Sequence, residues 1–160
     1  METNNECTNK ITAIKQLIEF IRMSYSHMLK EHLLLYENFD RFKTDEKGGK
    51  FKSHYYQIDL NYFDEKGKIN WKIIRQFMPS DVERYIHEEF VMLNTGEIRL
   101  CCLLMFKIPN RMISKILPYS QKSIYTIIHN IKQKTGIESM NELYEKIILK
   151  MTLKNEKKQY

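Results

Sequence analysis

The sequence predicts an all-α protein in two parts, a helical module over residues 1–92 and a four-helix domain over residues 93–160. Three observations predict it. Apolar residues recur at alternating three and four from Ile11 to Leu35, the spacing of one helix face. From Leu93 onward, caps, short apolar-periodic runs and stops follow one another regularly. Between Glu97 and Glu138 there is no acidic residue, yet Arg99, Lys107, Arg111, Lys115, Lys122, Lys132 and Lys134 are there.

The first helix is predicted to start at a Thr8 or Asn9 cap. Ile11, Ile14, Ile18, Ile21, Tyr25, Met28, His32 and Leu35 then make an a/d seam over nearly four heptads. Leu17, Phe20, Leu29 and Leu33 widen it, which is equally the pattern of a helix packed inside its own subunit. Read as a seam, its dimer contacts are Ile11, Ile14, Ile18, Ile21, Tyr25 and Met28, and a homodimer follows. Residues 43–54 are charged, contain Gly48-Gly49 and read as a linker. Tyr56, Ile58, Leu60 and Tyr62 alternate as in a strand. After the turn Asp64-Glu65-Lys66-Gly67-Lys68, Ile69, Trp71 and Ile73 alternate again, the pattern of a small β-hairpin over 55–75. Against it, Asn70 can cap a helix over 71–78 with Trp71, Ile74 and Met78 on one side, and this is the favoured reading; residues 55–63 stay open. Pro79-Ser80-Asp81 starts another helix, to about Val91, with Val82, Tyr85, Ile86 and Phe90 inward.

In the second part, Asn94 or Thr95 opens a helix. Glu97 lies in its first turn, where the helix dipole favours a carboxylate, and Ile98, Cys101, Leu104 and Met105 form its buried side. Pro109-Asn110 starts a helix over 111–117 with Met112, Ile113 and Ile116 apolar, and Pro118 ends it. Tyr119 fills the turn, Ser120 caps a helix over 121–135, and Gly136 stops it. A last helix over 139–153 turns Leu143, Ile147, Ile148 and Met151 inward, and the tail from Lys154 is expected to fray.

Lys and Arg number 26 against 20 Asp and Glu, a net charge of +6. The excess is local. Residues 93–160 hold twelve bases against five acids, while residues 1–92 hold fourteen against fifteen. Basic charge confined to one folded segment points to nucleic acid and away from a membrane. Three cysteines, with Cys101 and Cys102 adjacent, make no disulfide framework. Without His partners at ligand spacing they read as small buried hydrophobes in a reducing compartment. The start, Met1 to Glu6, is polar and acidic, unlike a signal peptide, and no apolar run reaches membrane-spanning length, so the expected location is cytoplasmic. His27, His32, His54, His87 and His129 are scattered. There is no Gly-rich phosphate loop, paired-carboxylate motif or Cys/His arrangement, so no enzyme activity, metal or cofactor is expected.

The chemistry-bearing stretch is the helix over 121–135. Ile124, Ile131 and one of Ile127 or Ile128 must face a core, which leaves Tyr125, Thr126, His129, Lys132 and Gln133 outward. A recognition helix in the major groove needs such a row of hydrogen-bonding side chains with cations beside it, and Lys122 and Lys134 stand at its two ends. A plain solvated helix face would normally mix both signs of charge, and this one carries no carboxylate.

Residues 93–137 resemble, without a gap, the helix-turn-helix of the LuxR/GerE class of bacterial transcriptional regulators. That class runs roughly L-T-x-x-E, then S-N-K-E-I-A, then S-x-x-T-V-x-x-H-x-x-N-I-x-x-K-L-G. The register holds at Leu93, Glu97, Asn110, Ile113, Ser120, Asn130, Ile131, Lys134 and Gly136, with conservative exchanges at Arg111, Ser123 and Ile124. The resemblance implies a four-helix domain that binds double-stranded DNA. It implies phosphate contacts from Arg111, Ser123 and Lys134, and base contacts from Tyr125, Thr126 and His129. With the helix starts and flanking cations added, the expected phosphate contacts are Asn110, Arg111, Ser120, Lys122, Ser123, Lys132 and Lys134. Departures are Lys107 for a common glycine, Pro109 for the capping serine, Met112 for a glutamate, Tyr125 for a frequent lysine, and Ile127 where histidine is frequent. The base preference therefore does not carry over. The region from Trp71 to Glu97 also looks similar to the one preceding this motif in membrane-tethered bacterial regulators.

The function implied is sequence-specific transcriptional regulation, with RNA polymerase or an upstream signalling protein as a further partner and the first 92 residues dimerising or sensing. Two other classes fit parts of the pattern. A sigma-factor-like promoter reader uses a related motif but needs a second, promoter-melting module. A helical dimeric adaptor would bind protein through a degenerate helix-turn-helix, and would gain nothing from an acid-free surface.

Overall fold

No proline or glycine interrupts the first 44 residues, and α1 runs unbroken over Glu2–Thr44. It starts six residues before the expected Thr8 cap. Glu2 and Glu6 suit a helix N-terminus, and Glu6 pairs with Lys10 one turn on at 2.7 Å. The structure, a computed structural model, describes residues 2–44, 66 and 68–157, with side chains over 5–34, 66 and 68–154. The linker's residues 45–54 and the first strand of the hairpin pattern lie outside the described residues.

The other helices are α2 (Trp71–Arg75), α3 (Val82–Glu89), α4 (Thr95–Met105), α5 (Asn110–Ile116), α6 (Gln121–Thr135) and α7 (Met140–Lys157). Among the described residues no strand forms. At 70–75 the helix prevails over the hairpin: the Asn70 side chain accepts the Lys72 N–H at 3.0 Å and closes the first turn. α2 is shorter than the expected 71–78 because Gln76, Phe77 and Met78 pass into tighter i to i−3 bonds. Glu83 fastens α2 to α3, accepting from Trp71 Nε1 at 2.6 Å and Arg75 Nε at 2.7 Å. Burial raises its carboxyl pKa, but those two donors and the Arg75 and Arg99 charges outweigh it and hold the value below normal.

One apolar cluster runs from Leu29 and Leu33 of α1 through Trp71, Ile86 and Phe106 to Ile147 and Ile148 of α7, continuous across the 92/93 pattern boundary. α4 lies within it. Leu100, Cys102, Leu103 and Phe106 are buried as well as the expected Ile98, Cys101 and Met105, while Leu104 is only half-buried. Contacts along it and at its end show what surrounds it. Arg99 stacks over the Trp71 ring at 5.2 Å, Phe106 meets Tyr25 of α1 and Tyr144 of α7, and the Met105 carbonyl accepts from Arg22.

The tie from α1 is specific. Arg22, buried in its row, donates through Nε to Met105 O at 2.6 Å and through Nη1 to Asn141 Oδ1 at 2.7 Å. Its guanidinium lies 4.6 Å from the Tyr144 ring centre, and the Tyr144 hydroxyl donates to Ile18 O at 2.6 Å. Higher on α1 the His32 ring stacks on Phe77 at 4.2 Å, and burial holds its pKa below 6.5. Ile18 and Tyr25, expected in a dimer seam, lean instead on the subunit core. Cys101 and Cys102 are buried as expected, but Cys7 is exposed, because residues 5–17 of α1 lie clear of the core. α7 continues to Lys157 where a frayed tail was expected, and Lys154 is held by Glu88 at 2.8 Å.

Candidate nucleic-acid interface

Four residues, Leu117 to Ser120, separate α5 from α6. α5 buries Met112, Ile113 and Ile116 and leaves Arg111 and Lys115 exposed; its first residue, Asn110, is half-buried. Pro109 precedes it with no side-chain cap, as the exchange for serine implies. Tyr119 is half-buried in the turn, with its hydroxyl over the first turn of α4. A Cβ at Gly96 would run into that hydroxyl, so glycine there is what lets the turn come so close.

α6 begins with a side-chain cap. Ser120 Oγ accepts the Ser123 N–H at 3.1 Å and lies 2.8 Å from Ser123 Oγ. It ends at Gly136, left-handed at φ 73°. Ile124 and Ile131 are fully buried, and both Ile127 and Ile128 are half-buried. Tyr125, 68% exposed, stands with Thr126, His129 and Gln133 on the open side, and Lys122 lies at its start. On a regular helix these five fall within about 100° of arc.

The cations sort by what they already touch. Lys134 is bound at 2.6 Å to the buried carboxylate of Glu97, and Lys146, Lys150 and Lys154 of α7 pair with Glu88 and Glu89 of α3. Lys107 lies 3.6 Å from Glu19 of α1. Lys107 also has a left-handed φ of 56°, at a cost of about 1 kcal/mol for a side chain. Its exposed ion pair returns little of that. Lys122 and Lys132 pair with no carboxylate among the described residues; Lys132 is half-buried and Lys122 exposed. Of the seven bases between Glu97 and Glu138, Lys122 and Lys132 on α6 make no such pair and Arg111 and Lys115 are exposed on α5, while Arg99, Lys107 and Lys134 are engaged by Trp71, Glu19 and Glu97.

Glu97 is the residue that sequence reasoning undervalued. It closes a capping box: its N–H donates to Asn94 Oδ1 at 2.9 Å, and its carboxylate accepts the Asn94 N–H at 3.0 Å. Its other oxygen takes Lys134, which fixes the end of α6 against the start of α4. Burial pushes its pKa up, but the Lys134 and Asn94 donors overcome that and leave it below the ordinary value.

The chain matches no known family, no characterised protein and no solved structure.

Among the described residues no three His, Cys, Asp or Glu side chains converge as a metal site, and no helix is long and apolar enough to cross a membrane.

Proposed function

We propose that this protein is a sequence-specific, double-stranded DNA-binding transcriptional regulator of LuxR/GerE type, with α6 as the recognition helix. The observation that carries the reading is the open side of α6. Tyr125, Thr126, His129 and Gln133 form one row of donors and acceptors with no carboxylate among them; Lys122 stands at its start and Lys132 lies further along the same helix. Phosphate repels carboxylates and draws counterion-releasing cations, and base edges need side chains of this kind presented together.

Arg111, Lys122 and Lys132 are assigned to phosphates; Lys134, bound by Glu97, is assigned to holding the helix. Log K against log salt then slopes by roughly −3 per subunit, and Arg111→Ala flattens the slope by about 1 while weakening all sequences alike. Fluorescence anisotropy over a salt series checks this, and binding indifferent to salt would remove DNA as the partner.

Thr126 and His129 are assigned to bases. Thr126→Ala and His129→Ala each cost about 1–3 kcal/mol on a selected site and little on random DNA. Selection of binding sites from a random library followed by competition measures the difference. Equal losses on both kinds of DNA would make these residues positioning contacts. A chain that selects no sequence but captures a protein through α5 and α6 would be the adaptor.

A further inference from the structure

Between Glu97 and Glu138 the chain has no acidic residue, so a carboxylate at the turn from α4 to α5 has to come from elsewhere. α1 brings one. Glu19 Oε1 lies 3.6 Å from Nζ of Lys107. The pair is loose: that distance is beyond hydrogen-bond reach, and the side chains are 57% and 46% exposed. Lys134, by contrast, is held at 2.6 Å by a Glu97 side chain only 8% exposed. Lys107 also stands at a left-handed φ of 56°, where glycine would sit without strain and a side chain does not. An exposed ion pair returns little of that strain, and so weak a partner is easily exchanged for another anion.

The neighbours of Lys107 say which anion. Lys107 comes four residues before Arg111 of α5, so the two Cα atoms are no more than about 14 Å apart. That is the span of about four nucleotides of one strand, and both side chains are exposed. A phosphate chain that meets Arg111 is therefore within reach of Lys107. The carboxylate is fixed in its place. Arg22, one turn along α1, lies 3.8 Å from the other oxygen of Glu19, and its bonds to Met105 and Asn141 set α1 against this turn.

We propose, on the reading of the protein as a DNA-binding regulator, that Lys107 is a phosphate contact held back by Glu19, so that the position of α1 sets how tightly the protein holds DNA. Phosphate contacts are blind to sequence, so a duplex of random sequence is the probe. Binding of the full chain is followed by fluorescence anisotropy over a salt series. Glu19→Gln tightens binding about fivefold near 0.1 M salt and steepens the slope of log K against log salt by about 1. Lys107→Gly suits the left-handed turn and changes binding of the parent less than about twofold, because the contact is held back. With both substitutions the gain from Glu19→Gln is gone. Circular dichroism of all three variants stays that of the parent, since both side chains lie at the surface.

A gain that persists in the double variant would come from the net charge of the whole chain and would overturn the proposal. Glu19→Gln without a gain, or a parent clearly weakened by Lys107→Gly, would overturn it as well. If the parent itself shows no salt-dependent binding, the DNA reading falls and the role of Lys107 falls with it. If the parent binds while Glu19→Gln gains nothing, only the role of Lys107 and Glu19 falls.

Discussion

Arg22→Ala is expected to remove about 3 kcal/mol of stability, read from the midpoint of urea unfolding at constant slope. The side chain is 4% exposed and its two hydrogen bonds reach different helices, α4 at Met105 and α7 at Asn141. Each bond from a cation contributes about 1.5–3 kcal/mol, and the Tyr144 ring adds about 1. Against that, alanine no longer requires a buried charge, which returns part of the sum. The Met105 carbonyl at the end of α4 is left without its donor, so the loss does not vanish. For a chain of this length the thermal midpoint falls by about 10 °C. Arg22→Lys recovers less than half, because a single ammonium cannot hold both acceptors and stack on Tyr144. A change under about 0.5 kcal/mol would mean that α1 is not held to α4 and α7 by this residue.

Glu97→Ala is the second large effect, about 2–3 kcal/mol. The Asn94 cap survives, since it accepts a backbone N–H, but the Asn94 N–H loses its acceptor, which costs about 1 kcal/mol. Breaking a buried ion pair costs about 3–5 kcal/mol when the remaining partner stays buried. Here the Lys134 side chain is 41% exposed and can turn to water, so the second figure is cut to about 1–2 kcal/mol. Glu97→Gln can keep one oxygen on the Asn94 N–H, but it turns an amide NH2 towards Lys134 and so loses both the charge and that acceptor, at about 1–2 kcal/mol. The pH dependence has a fixed sign. The folded carboxyl sits below its ordinary value of 4.5, so its contribution is full above pH 4.5 and fades as pH falls through the lower, folded value. The stability gap between the parent and Glu97→Gln therefore closes on acidification below pH 4.5. A gap constant from neutral pH to the acid limb would show that the Glu97 charge contributes nothing.

What the sequence disclosed and what it withheld divide by range. The caps Asn70, Asn94 and Ser120 and the stop at Gly136 act on residues two to four away, and each is where the local pattern puts it. The ties made by Arg22 and Lys134 join residues 83 and 37 apart, and no local rule reaches that far. A trace of them was present. Arg22 is the cation in the row Ile18, Tyr25 and Leu29, a place where charge must find a partner. Leu100 to Met105 is six apolar residues in succession, which marks a helix enclosed on every side more than one with a single buried stripe. The open side of α6 was legible because Ile124 and Ile131 fix the helix's rotation. That Lys134 turns towards Glu97 was not, since its charge alone made it look like its neighbours.

The enclosure of α4 also limits how these helices can be moved about. A fragment beginning at Leu93 keeps α4 to α7, yet it leaves Arg99 without Trp71, Phe106 without Tyr25 and the Met105 carbonyl without Arg22. The first 92 residues supply one wall of the common core. α5 and α6 are therefore not a cassette that recombination could lift from this chain and splice onto another; they travel with α1, α2 and α3 or lose part of the floor on which α6 rests.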